Sequence, residues 1–221
     1  MSRIVSPVED LRWIRVSVPI ASFTVPFARE FAESYPFPPP ATVYGMLLSY
    51  IGETNRWKYE GTRLAIVVIR SGSPSLVIRK TRRVKVADLN SPQNSKPDYQ
   101  TLLTGLEFMV GLCPESGAVP NLWRVVESCY HQPERSLRVG GLSCGESHHL
   151  IDEFSLMSAA EVEAAIRAGE SWLLEPAEDG EWSVPVWVDH VGSEKTVWER
   201  AAWIPARGQR QVGMFEIAHT K

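Results

Sequence analysis

Residues 11–23, LRWIRVSVPIASF, alternate with a period of two: Ile14, Val16, Val18 and Ile20 fall on one phase, and Trp13, Arg15 and Ser17 on the other. That alternation predicts a half-buried strand, because successive side chains of an extended chain point to opposite faces. The period then changes. After the cluster Pro36, Pro38, Pro39 and Pro40, which holds the chain extended or turning, Val43, Met46, Leu47, Tyr50 and Ile51 recur at helical spacing. Proline at the start and Gly52 at the end punctuate one helix. Leu64–Ile69 is a continuous apolar run suited to a central strand, and residues 75–87, SLVIRKTRRVKVA, continue as a strand that turns abruptly basic. Between Ala87 and Gly105 the chain is rich in turn residues and poor in apolar ones. An excursion of that length is usually functional or disordered. Leu106–Cys113 return as a strand, a helix is predicted over 120–131 between Pro120 and Pro133, and Ser158 three residues before Glu161 signals a capping box and a further helix. Trp182–Val188 and Val212–Ile217 read as short strands. The order strand, helix, strand, hairpin-like excursion, strand, helix, strand is compatible with a ferredoxin-like βαββαβ core, an α+β fold.

Composition narrows the function. A chain of 221 residues, 44% apolar, can bury one core with a small second lobe. Its net charge of −3 argues against a protein that coats nucleic acid through bulk charge, so any anion site must be local. Cys113, Cys129 and Cys144 stand far apart and are odd in number, which fits a reducing compartment rather than a disulfide framework. No basic stretch leads into an apolar one at the start, and no apolar run reaches the roughly 18 residues of a membrane span. The expectation is a cytoplasmic protein without a membrane segment. Eight tryptophans and sixteen prolines point to a loop-rich fold or to aromatic anchors for a partner.

Arg79, Lys80, Arg82, Arg83 and Lys85 place five cations within seven residues. On a strand Arg79, Thr81, Arg83 and Lys85 share one face, and Lys80, Arg82 and Val84 the other, so neither face is a normal core. Such a projection suits lying along phosphates while its polar tip reaches through a strand of RNA; neutralising four phosphates gives a log–log salt slope of about −3. The same residues fit a solvated edge strand protected by its charge. A second candidate is FARE at 27–30, with Phe27 and Arg29, together with ESYPFPPPATVYG at 33–45. There Phe27, Tyr35, Phe37 and Tyr44 offer stacking surfaces, and Thr42 and free amides at a helix start offer phosphate donors. These aromatics serve equally well to staple the proline loop to the helix.

The glycine-rich segment RVGGLSCGESHHLIDEF carries three chemistries. Gly140, Gly141, Ser143, Gly145 and Ser147 suit a loop whose amides and hydroxyls contact RNA phosphates, with His148 and His149 beside them. Gly141–Gly145 also matches G-x-S-x-G, the nucleophile elbow of hydrolases, with Ser143 as nucleophile, His190 or His219 as base and Asp152, Asp179 or Asp189 completing a triad. No oxyanion segment precedes it. Cys144, His148 and His149 invite a metal, but adjacent histidines point apart on a strand and diverge by about 100° on a helix, so no metal and no cofactor are expected. His148 or His149 with Tyr35 and Lys80 could also act as acid and base in metal-independent RNA cleavage.

PIASFTVP in the opening strand, the SYPFPPPATVYGMLLSYIGE block, PDYQTLLTGLEF after the basic excursion and GGLSCGESHHLIDEF together resemble the fifth Cas family, in its DevS-like branch. This is the small RAMP-superfamily subunit of type I CRISPR Cascade. The resemblance spans about residues 11–155. It implies a ferredoxin-like (RRM-like) RAMP fold over residues 1–155, with a protruding β-hairpin thumb at about 79–104 and a small C-terminal α/β extension over 156–221 packed on it. Carried over by position, Arg79, Lys80, Arg82, Arg83 and Lys85 form the thumb stem, Asn90–Pro97 a polar wedge that displaces a nucleotide, and Gly140–Ser147 the glycine loop. The implied role is non-catalytic: a subunit capping the 5′ handle of the crRNA and anchoring the backbone filament in antiviral defence. Its implied partners are the crRNA, a Cas-seven-type backbone subunit and a Cas-eight-type large subunit, with target DNA met mainly through the complex and no membrane. One branch of the family cleaves precursor RNA, and no clear match to its catalytic cluster is present.

Overall fold

The computed structural model describes residues 4–26, 28, 31–82, 84–117, 119, 121–189 and 195–220. After a short strand β1 (Val5–Pro7), the alternating segment forms β2 (Arg12–Ala21), and its two phases enter two different cores. Two-residue β3 (Phe31–Ala32) follows, then α1 (Pro40–Ile51). Ile14, Val16 and Val18 pack with residues of α1 and α2 (Leu122–His131). Trp13 faces the other way, against Val162 and Ile166 of α3 (Ala159–Ala168). At 1% exposed it corrects the half-buried expectation, because a helix from beyond residue 158 helps cover the second face. The apolar run becomes β4 (Arg63–Arg70) and makes the same split, Leu64, Ile66 and Val68 to one core and Ala65 and Val67 to the other. A strand covered on both faces has no polar phase, so its sequence does not alternate.

Gly52 ends α1 at φ +74, its N–H donating to the carbonyls of Leu48 and Ser49. A Cβ there would also stand 2.6 Å from the Leu137–Arg138 backbone, so glycine both caps the helix and admits the loop that follows α2.

From β4 the chain passes into a long hairpin, β5 (Ser73–Arg82) and β6 (Ser95–Leu112), registered from Ser73↔Thr104 to Arg82↔Ser95. The second half of β6, Leu106–Leu112, pairs with both β2 and β4. Gly105, at φ +73, lies where the hairpin half meets the central half. The thumb therefore starts at Ser73, and its basic strand stops at Arg82 rather than residue 87. After α2, β7 (Glu153–Met157) returns beside β2. The order β7–β2–β6–β4, antiparallel throughout, places fourth, first, third and second strands side by side, the ferredoxin-like arrangement expected.

Most of the described strands beyond residue 157 join this sheet. β8 (Trp172–Pro176) pairs with β4, β10 (Val197–Pro205) with β8, and β9 (Trp182–Trp187) with β10. β11 (Gln211–Gly213) closes on β1, and β12 (Phe215–Glu216) on β4. The boundary expected at 155 falls inside β7, and the extension both widens the sheet and covers it with α3. Among the described residues no helix is long and apolar enough to cross a membrane.

Candidate nucleic-acid interface

Alternation gives the thumb two unlike faces. On the inner face Val77, Arg79 and Thr81 stand beside Gln100, Asp98 and Lys96. Gln100 is buried; its Nε2 donates to Ser22 Oγ at 3.0 Å and to the carboxylate of Glu146. Arg79 Nη1 lies 3.4 Å from the other Glu146 oxygen, so this face is closed against the glycine-rich loop. On the outer face Phe31, Tyr99 and Ile78 form one row across three strands, through the registers Phe31↔Tyr99 and Ile78↔Tyr99. They are 41%, 38% and 67% exposed, and Leu76, on the same face, is 57% exposed. Lys80 and Arg82 follow on that face, exposed and, among the described residues, without an ion pair. Aromatic surface beside unpaired cations is what a single nucleic-acid strand needs, bases on the rings and phosphates on the charges.

The tip is self-contained. Asn94 is buried, its Oδ1 accepting from the Lys85 and Val86 amides at 2.6 and 3.0 Å and its Nδ2 donating to the Val86 and Asp88 carbonyls at 3.0 and 2.8 Å. Lys85 therefore lies in the tip loop, outside the strand face assigned to it. Within the expected wedge Asn90–Pro97, the Asn94 amide organises its own loop instead of meeting a ligand.

The glycine loop folds back on itself. The Cys144 and Ile151 amides donate to the His149 and Leu142 carbonyls, Ser143 bridges to Leu150, and the His149 amide donates to the Glu146 carbonyl at 2.9 Å, closing a tight turn. Gly140 and Gly145 take φ of +85 and +93, and a Cβ on Gly145 would sit 2.7 Å from the Ser22 carbonyl oxygen. Gly140, Gly141, Ser147 and His148 are exposed at the rim, with Ser143 half-buried. Cys144 is buried, which pushes its thiol up to about 12. His149 is 2% exposed, and burial, then the neighbouring His148, hold its pKa below the usual histidine value.

The proline block contributes scaffold where stacking was expected. Tyr35 is buried beside Phe37, ring centroids 5.5 Å apart, and its hydroxyl donates to the Ser183 carbonyl. Tyr44 is fully buried and donates to the Arg56 carbonyl. Neither ring can reach a base. Of the expected helix-start donors, Pro40 has no N–H, and the Thr42 and Val43 amides donate to the Pro39 carbonyl at 2.9 and 3.1 Å. Phe27, Arg29, Arg83 and His190 lie outside the described residues.

Among the described residues the alternative chemistries are not assembled. Gly141–Gly145 sits in an irregular loop before β7, not on a strand-to-helix elbow, and His219 is held by Glu60. Tyr35 is tethered in the core, and Lys80 projects from the thumb face opposite the one touching the histidine loop, so an acid–base trio with His148 or His149 is not assembled. Where adjacent histidines were expected to point apart, the turn gathers ligand atoms of Glu146, His148 and His149 within 4.8 Å of one another. Cys144 is not in that group.

Residues 13–215 match the protein family described as CRISPR-associated protein (Cas_Cas5). The chain belongs to the Cas5 family. A curated relative, the CRISPR-associated protein Cas5 of Myxococcus xanthus (strain DK1622), is 36% identical over 193 residues, 84% of this chain and 86% of the relative. Among solved structures, a chain of a "CRISPR RNA-guided surveillance complex" superposes with a TM-score of 0.63 at 13% identity, covering 92% of this chain and 91% of that one. A second, "Crystal structure of Cas protein", gives 0.52 at 16% identity, covering 89% and 96%. At those identities the likeness is one of fold, and it agrees with the ferredoxin-like Cas5 architecture described above.

Sequence reasoning for this Cas5 chain missed Phe31, Ile78, Gln100 and Glu146. Ile78 was readable: it shares a strand phase with Lys80 and Arg82, so an exposed apolar residue on a cationic face was implied. Phe31 lies on a two-residue strand with no periodicity to detect, and Gln100 and Glu146 meet only through tertiary contact.

Proposed function

We propose that this Cas5 chain is a non-catalytic subunit of a CRISPR surveillance complex that holds the 5′ handle of the crRNA along the outer face of its thumb. The observation carrying this reading is the row Phe31–Tyr99–Ile78, open to solvent and flanked by Lys80 and Arg82, on a chain whose net charge is −3. Bases stack on the rings without regard to sequence, and phosphates meet the two cations. The rim of the glycine loop, with Gly140, Gly141, Ser147 and His148 exposed, lies across the inner face and offers a second phosphate contact. Target sequence is then read by guide base pairing, and DNA reaches this subunit through the complex. The fold shared with a chain of an RNA-guided surveillance complex supports a place in such an assembly; in this reading its partners there are a Cas-seven-type backbone and a Cas-eight-type large subunit, and the compartment is the cytoplasm.

The test is capture of labelled handle RNA by complexes assembled with wild-type chain or with Lys80→Glu and Arg82→Glu together. Loss of capture is expected; undiminished capture by the double variant overturns the outer-face assignment. For the non-catalytic part, repeat RNA incubated with purified chain, with and without magnesium, is expected to stay intact. Cleavage abolished by His148→Ala or His149→Ala would establish a nuclease instead.

A further inference from the structure

Glu146, His148 and His149 occupy one turn of the glycine loop, and of the three the RNA reading uses only His148. The His149 amide to Glu146 carbonyl bond brings the first and fourth residues of the turn together, and the His148 and His149 rings stand 4.3 Å apart. His148 Nε2 lies 3.7 Å from Glu146 Oε2, and ligand atoms of all three residues fall within 4.8 Å of one another. A second observation points to a ligand. His149 is 2% exposed, and its Nδ1 is buried with no hydrogen-bond partner. A buried imidazole nitrogen without a partner has lost water and gained nothing in exchange, which proteins rarely leave so.

We propose that Glu146, His148 and His149 bind a divalent transition-metal ion of the zinc class, with at least one coordination position left open to solvent. The donor set, two imidazoles and one carboxylate, suits such an ion, and three protein ligands with a free position are characteristic of open sites. Tetrahedral coordination at about 2.1 Å sets neighbouring ligand atoms about 3.4 Å apart. His148 Nε2 and Glu146 Oε2, 3.7 Å apart, already stand near that separation, and the His148 side chain is 62% exposed.

The Glu146 carboxylate is held in place by its neighbours. Glu146 accepts from Gln100 Nε2, Gln100 is itself anchored on Ser22 Oγ, and Arg79 Nη1 stands 3.4 Å from the second carboxylate oxygen. Outer partners of this kind fix a ligand's direction. Gly145, where a positive φ and the nearby Ser22 carbonyl exclude a side chain, immediately precedes the turn that gathers the three ligands. The assignment does not rest on RNA binding and stands or falls separately from it.

The experiment uses the untagged full-length chain, stripped with chelator and dialysed against zinc or cobalt, without RNA. One equivalent of metal is expected, with visible cobalt absorption bands, both lost in His149→Ala and in His148→Ala and both retained in His131→Ala, an exposed histidine at the end of α2. If His149→Ala does not fold, His148→Ala and Glu146→Gln, altering a solvent-facing and a half-buried ligand, carry the test. Failure to retain metal, or retention undiminished by His148→Ala and Glu146→Gln, overturns the site.

Discussion

The inner and outer faces of the thumb are built from alternate residues of the same two strands, and they differ in whether their polar groups already have partners. Arg79 and Gln100, on the inner face, are engaged by Glu146 and Ser22. Lys80 and Arg82, one residue along in each case from an inner-face position, meet none among the described residues, and they adjoin exposed Ile78 and Tyr99. A cation's position in a basic cluster therefore says little about binding; what decides is whether the fold has already neutralised it. Inner-face cations stabilise an architecture, and outer-face cations remain available to phosphate.

Four perturbations sharpen that contrast. The largest effect is expected from Lys80→Glu with Arg82→Glu: beyond lost affinity, the log–log salt dependence of handle binding should become shallower by about 1.4, two contacts at about 0.7 each on a single strand. Filter binding across a salt series checks it, and Arg79→Ala should leave that slope nearly unchanged. Next, Tyr99→Ala should weaken handle binding by about 1–3 kcal/mol, the range for one stacked base, whereas Tyr99→Phe should preserve it; fluorescence titration of labelled RNA separates the two. Asn94→Ala removes four hydrogen bonds from the thumb tip. Hydrogen exchange at the Lys85 and Val86 amides should accelerate while the melting temperature of the whole chain barely moves.

The smallest effect lies away from the thumb. Ser158 caps α3 in a reciprocal box with Glu161, and Ser158→Ala should cost about 1 kcal/mol in denaturant unfolding with no change in RNA binding. The Ser158 amide and hydroxyl hold the Glu161 carboxyl below its usual range. A depressed folded-state pKa means the box stabilises the chain above the ordinary glutamate pKa and loses that contribution as pH falls through the folded value. A stability–pH profile should show that loss in the wild type and a smaller one in Ser158→Ala, which keeps the backbone N–H bond to Glu161 and loses the hydroxyl.

Much of the fold was legible because its signals are local. The phases of β2, the proline and Gly52 bounds of α1, the apolar run of β4 and the Ser158 capping box each depend on residues within one element. β8 and β10 were not read, since WLLEP is short and VWERAAWIP lacks clean alternation; their pairing with β4 and with each other makes them strands. The site was less legible for a related reason. A cationic cluster is visible in sequence, but the division between Arg79 and Lys80 depends on Glu146, far along the chain. Tyr35 and Tyr44 misled because an aromatic ring beside prolines reads the same whether it awaits a base or fills a core. The gathering of Glu146, His148 and His149 was not legible, because the adjacent histidines were weighed on strand and helix geometry and not on a tight turn.

The most direct test of the outer-face account is photocrosslinking of the assembled complex, its crRNA carrying 4-thiouridine in the 5′ handle, followed by mass spectrometry. Adducts at Tyr99 or Phe31 are the predicted result. Handle nucleotides crosslinked to another polypeptide, with this thumb free of adducts, would contradict it.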